Sequence, residues 1–321
     1  SEPIRTSFGY HLIRVDETVS PRELNHFAQR RAVTISANLA PGYTMGEALA
    51  FLDNTARSLL PAGYATDYAG QSREFRTSTA SLALTFLLAL AFIGAGLTCV
   101  WLEIGRPLRA INVFFHPQTS WMTREGIVAV PLFLTALAAV WMGGGVFVGM
   151  AALLGVGFLY CQGRILQAAK GIPAWREPKI VSLILATGFV EGAGLATLLA
   201  AFLPGTSPRW LAAVLLGALI LRRIAWTVYF KARETSGLPQ QAMGVLRPFG
   251  AKFEMLGQLA PEILIVAGIF YGGVLPMFAV LAGAVALVAG WWLKFTIVAR
   301  AAYNQGYALP VLPVRGQGEV Q

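Results

Sequence analysis

Charge is what this sequence has least of. Only 13% of its 321 residues are Asp, Glu, Lys or Arg, while 56% are hydrophobic. Soluble domains carry about 25% charged residues, so a soluble globular fold is excluded. Cysteine is almost missing. Cys99 and Cys161 each sit in an apolar run with no second Cys or His at metal-ligand spacing, which excludes zinc and iron–sulfur motifs and reads both thiols as small buried hydrophobes. Histidine is confined to His11, His26 and His116, and none lies inside an apolar run. A bundle made of these runs has no axial ligands for a b-type haem.

What the chain has in abundance is long apolar runs of roughly 17 to 25 residues, the length a helix rising 1.5 Å per residue needs to cross about 30 Å of hydrocarbon. Seven spans are expected, over Thr79–Leu102, Gly126–Met142, Val146–Gln162, Ile180–Leu203, Trp210–Phe230, Leu259–Tyr271 and Leu275–Ala299. The expected fold is an all-α integral membrane helix bundle with a small α+β extramembrane N-terminal segment. Gly143 to Gly145 suits a tight hairpin between spans. The stretch Lys231 to Gln258, with Gly237, Pro239, Pro248 and Gly250, reads as the longest connection, a basic loop suited to an acidic or phosphate-bearing partner.

The net charge of +9 follows the membrane rather than nucleic acid. Residues 1–78 carry eight cationic and eight anionic side chains, so the surplus lies wholly in the helical part. There the basic residues from Arg106 to Arg315 fall on one side of the spans and only Arg209 on the other. By the positive-inside rule this predicts an external N-terminus and a cytoplasmic C-terminus, as in a multi-pass protein of the bacterial inner membrane.

Before the spans, Ser7 to Glu17 alternates like a strand, and Ser20 with Pro21 opens a short helical pattern. Residues 32–75 read as strand, turn, helix, strand, with a capping box at Thr44 to Glu47 and Pro61 closing the helix. One such unit buries too little surface to close its own core, so residues 1–78 are expected to be loosely held. The polar start at Ser1 lacks the apolar core of a cleavable leader.

Ionisable residues gather in Val100 to Glu125, between two apolar runs, where polar groups are costly unless paired or used. Glu103, Arg106, Arg109, His116, Arg124 and Glu125 lie there beside Trp101, Phe114, Phe115 and Trp121. Two readings stand. These residue types supply the donors, the proton carriers and the apolar slot of a quinone site, and equally the cationic and aromatic anchors of any bundle. Glu191, mid-span among small residues, reads either as part of a proton path or as a hydrogen bond across a tight helix contact. Glu262 after Pro261 reads as a helix-start carboxylate. Arg222, Arg223 and Lys294 read as cations snorkelling from span ends.

Three resemblances change along the chain, which therefore reads as chimeric. FGYHLIRVDE, in residues 1–31, resembles the closing strand of parvulin-type prolyl isomerases, without the part of that fold that holds its active site. AVTISANLAPGYTMGEALAFLDNTARSLLPAGYATDYAGQSREF, running on through SLALTFLLALA, resembles a porter segment of resistance-nodulation-division efflux pumps over residues 32–91. The charged relay of such pumps finds no counterpart here, and on that ground the efflux reading ranks second. LEIGRPLRAINVFF followed by TSWMTRE resembles the NrfD/DmsC-like membrane-anchor subunits of molybdopterin oxidoreductases, those of phenylacetyl-CoA:acceptor oxidoreductase above all. The transmembrane domain, residues 79–307 with a tail at 308–321, fits that family in span order. This last resemblance implies a haem-free anchor that binds a quinone, menaquinone or ubiquinone. Glu103 and Glu191 would move protons, and Arg106, Arg109, His116, Trp121, Arg124 and Glu125 would line the site. It also implies partner subunits holding the iron–sulfur and molybdopterin centres, to which the chemistry belongs. An efflux-related fragment and a catalytically silent membrane tether are the alternatives.

Overall fold

A computed structural model of the chain describes residues 4–6, 9–11, 26–27, 30–31, 33–36, 38–39, 42–43, 45–61, 64–103, 107–142, 145–201, 208–235 and 238–304. They divide into two units, Ser1–Thr66 and Asp67–Gln321. In the first, Ile4–Thr6 (β1) pairs antiparallel with Gly9–His11 (β2), and His26–Phe27 (β3) with Arg30–Arg31 (β4). The helix α1 runs Met45–Leu59, with Glu47 in its first turn and Arg57 in its last, each complementing the helix dipole.

The unit expected over residues 32–75 reduces to this helix. Residues 33–36 and 64–69 form no strand, and Val33 and Ile35 stand 90% and 82% exposed. A strand is stable only where a neighbour takes its backbone hydrogen bonds, and none does so among the described residues. The helix expected after Ser20 lies outside the described residues.

The second unit is helical. α2 spans Gln71–Glu103, a 3₁₀ turn Pro107–Phe114, α3 Trp121–Met142, α4 Gly145–Ala168, α5 Lys179–Ala200 and α6 Pro208–Thr235. After them come α7 (Gln240–Lys252), a π-helical segment (Phe253–Leu259), α8 (Ala260–Tyr271), α9 (Leu275–Phe295) and a second π segment (Thr296–Arg300). Among the described residues seven helical stretches are long and apolar enough to cross a membrane, and the chain is a multi-pass membrane protein.

The sixth of these, Gln240–Tyr271, corrects the expected irregular loop. Pro248 lies inside α7, and α7, the π segment and α8 form one continuous stretch. Proline is tolerated within membrane helices when neighbouring helices re-satisfy the freed backbone groups.

The core sits between α5, α6, α7 and α9. Trp226 packs edge-on to Phe253, with ring centroids 5.3 Å apart, and Phe249 edge-on to Trp292 at 4.8 Å. α5 and α9 run antiparallel at close range. A Cβ built on Gly283 would come 2.7 Å from the carbonyl oxygen of Gly194, so only glycine allows this approach. The loop between α4 and α5 is pinned to α6 and to the end of α9. Tyr229 Oη donates to Ala174 O at 2.8 Å, Trp175 Nε1 to Ile297 O at 2.8 Å, and Arg233 pairs with Glu177.

Candidate functional site

Arg222 lies midway along α6 and is fully buried. Its Nη2 donates to Gly257 O at 2.6 Å, Nη1 to Ala286 O at 3.2 Å and Nε to Gln258 Oε1 at 3.4 Å. The sequence explains why Gly257 has an oxygen to offer. Pro261, four residues on, has no N–H to return to that carbonyl, and the π segment ends beside it. A buried carbonyl without a donor is unfavourable, and a guanidinium from the next helix supplies one.

Around this fixed cation two ion pairs assemble. Arg223 Nη2 donates to Glu262 Oε2 at 2.5 Å, and Lys294 Nζ on α9 donates to Glu191 Oε2 on α5 at 2.8 Å. Glu191 fits because it packs on Gly290, where an added Cβ would lie 2.5 Å from Oε1. Both carboxylates are near enough to act on the charge of Arg222. Three cations and two carboxylates therefore gather between α5, α6, α8 and α9, with Arg222 buried and Arg223 and Lys294 part-exposed.

The members differ in access. Arg222 is sealed and permanently charged, whereas the side chains of Lys294 and Glu191 are 42% and 19% exposed. Glu191 and Lys294 are thus the reachable members of the cluster, while the neighbouring guanidinium holds a constant field.

This corrects three expectations. Arg222, Arg223 and Lys294 do not snorkel from span ends. Their charges are bonded inside the bundle because partners on other helices stand opposite. Glu262 does stand in the first turn of α8, as expected, and its carboxylate is in addition taken by Arg223. Pro261 was the signal within the sequence, as a proline in a span announces a free carbonyl one turn earlier.

The residues singled out near the first two spans are only partly brought together. Glu103 ends α2 exposed and His116 is exposed in the following loop. Arg109 lies on the 3₁₀ turn, and Arg106 lies outside the described residues. Trp121, Arg124 and Glu125 do meet at the start of α3. Arg124 stacks on Trp121, with Cζ 4.1 Å from the ring centroid, and Glu125 is buried and hydrogen-bonded by Gln162 Nε2 of α4. Glu191 instead belongs to the α5–α9 cluster. Cys161 is buried as expected, whereas Cys99 is exposed on α2, on a helix surface that little else covers.

The architecture defines a class, a multi-pass helical membrane protein with charges paired inside its bundle. Comparison with known proteins narrows this. The AcrB/AcrD/AcrF family matches residues 10–119. An "Uncharacterized transporter" of Haemophilus influenzae is 37% identical over 73 residues, which make up 23% of this chain and 7% of that protein. The chain thus spans a small fraction of the length of the relative it resembles. No solved structure matches.

These findings overturn the oxidoreductase reading. The transporter match runs through the LEIGRPLRAINVFF segment on which the resemblance to molybdopterin enzyme anchors rested, and no match to that anchor family accompanies it. The quinone-binding role in an oxidoreductase falls with it, as do the iron–sulfur and molybdopterin partner subunits. The match also covers most of Ser7 to Glu17, displacing the isomerase resemblance there. The efflux resemblance, first read over residues 32–91 and ranked second, is the one supported, with wider bounds. Short apolar and basic phrases recur at the ends of many unrelated spans, because bilayers select them for the same physical reasons.

Proposed function

We propose that this chain is a transporter-like protein of the bacterial inner membrane, akin to resistance-nodulation-division exporters, in which the Glu191–Lys294 pair takes up and releases the coupling proton. The observation that carries the transport reading is the family match over residues 10–119. The coupling role is supported by a part-buried carboxylate and ammonium 2.8 Å apart inside the bundle, beside a sealed guanidinium. Protonation of Glu191 removes its attraction for Lys294 and leaves α5 and α9 free to shift along their small-residue contact. Seven spans put the two ends of the helical part on opposite sides. With Arg209 the lone cation on its side after the first span, the C-terminal end is cytoplasmic.

The test is accumulation of a fluorescent lipophilic cation in bacteria lacking their own exporters and expressing the full chain. Proton-gradient-dependent efflux is expected. Glu191→Gln should lower its rate by about 100-fold, the scale of losing a proton-transfer group, with membrane abundance unchanged. Absence of gradient-dependent efflux in the unaltered protein overturns the transport reading. Undiminished efflux in Glu191→Gln overturns the coupling role alone.

A further inference from the structure

Where α3 begins and α4 ends, two guanidiniums share one indole. Arg124 Cζ lies 4.1 Å from the Trp121 ring centroid and Arg164 Cζ 4.5 Å from it, and Tyr160 sits edge-on to the same ring, 5.8 Å between centroids. Arg124 is held in place, with Nε donating to Pro117 O at 2.7 Å and Nη2 to Gln118 O at 3.0 Å. Neither arginine has a carboxylate partner among the described residues. The one acid beside them, Glu125, is buried and engaged by Gln162.

Two polar atoms here are buried with no hydrogen-bond partner among the described residues, Arg164 Nε and Gln167 Oε1. They stand three residues apart on α4 and so face the same way. One is a donor on a cation and the other an acceptor. Like charges stacked on one ring repel unless an anion offsets them, and a ligand with both an anionic oxygen and a hydroxyl would satisfy both atoms.

The position says where such a ligand comes from. Trp121 is the first residue of one span and Arg164 lies in the last turns of the next, which is the depth at which lipid phosphates meet interfacial tryptophans. We propose that this corner binds the headgroup of an anionic glycerophospholipid of the phosphatidylglycerol kind. The Arg164 fork takes the phosphate oxygens, Arg124 adds charge, and a headgroup hydroxyl donates to Gln167 Oε1. Zwitterionic phosphatidylcholine offers the phosphate without the net charge or the hydroxyl, and is bound more weakly. The site is independent of what the bundle transports.

Native mass spectrometry of the full chain, released from nanodiscs of equal phosphatidylglycerol and phosphatidylcholine, tests this. The unaltered protein should retain phosphatidylglycerol with about fivefold preference for each arginine engaged. Arg164→Gln should cut the preference about fivefold, to what Arg124 alone supports, and Arg209→Gln, at the other end of the spans, should leave it unchanged. Arg164→Lys, which keeps the charge and loses the fork, should fall between and provides the reading if Arg164→Gln does not fold. Equal retention of the two lipids by the unaltered protein overturns the proposal, as does a preference that neither substitution at Arg164 reduces. Loss of bound lipid on adding millimolar inorganic phosphate overturns the lipid assignment in favour of a free-phosphate site.

Discussion

The α2–α4 helices and the α5–α9 helices are similarly apolar but put to different use. Mean hydropathy is 2.3 in the α2 span and 1.8 in those of α5 and α6, yet only 6% of the most apolar α2 stretch is buried inside the protein against 44% in α5 and α6. Hydropathy therefore selects what enters the bilayer and is silent about what packs at its centre. In lipid, apolar surface gains nothing by leaving hydrocarbon for protein, so close packing and polar bonds decide the core. α5 and α9 have both, through the Gly194–Gly283 approach and the Glu191–Lys294 pair. α2 offers Leu84, Leu87, Phe92 and Trp101 to the surroundings.

The contrast between the two halves can be broken by substitution. The largest loss is expected for Arg222→Ala, which leaves the Gly257 and Ala286 carbonyls without their donor in a sealed interior. We expect about 3 kcal/mol of destabilisation, read as a lowered thermal midpoint of the detergent-solubilised chain. Arg124→Ala, which frees carbonyls at an exposed helix end, should cost less than about 1 kcal/mol. An equal loss at both sites would erase the distinction between the halves.

Gly283→Ala should follow, at about 2 kcal/mol, because the new methyl meets the Gly194 backbone oxygen and cannot displace it. Gln162→Leu is expected to cost about 1 kcal/mol by stripping the buried Glu125 of its amide donor. Smallest is Gly149→Ala on α4, where nothing lies within 4 Å of the added carbon. Its effect should stay within about 0.5 kcal/mol, and a midpoint drop matching that of Gly283→Ala would show α4 to be as tightly packed as the α5–α9 contact.

Much of the fold was legible beforehand because a span is a local sum of side-chain transfer energies. The stretch from Gln240 to Gln258 was not. Gly250 and Pro248 read as loop residues by soluble rules, while in a bundle the freed backbone groups find donors on neighbouring helices. The candidate site divides similarly. Glu191 stood out as a mid-span carboxylate, but the segment around Glu103 and His116, rich in suitable residue types, leaves both exposed. Residue type at a span end carries little information, since interfaces collect Arg, Trp and His whatever the function.

By itself the sequence determined that the chain crosses the membrane and where six of the seven spans found among the described residues lie, each a property of residues adjacent along the chain. Only the tertiary structure decided that Arg222 caps a carbonyl freed by Pro261, and that Lys294 answers Glu191 from 103 positions away. Coulomb energy falls with distance in space rather than along the sequence. Whether a charge in a span is anchored, paired or free is thus set by which helices become neighbours.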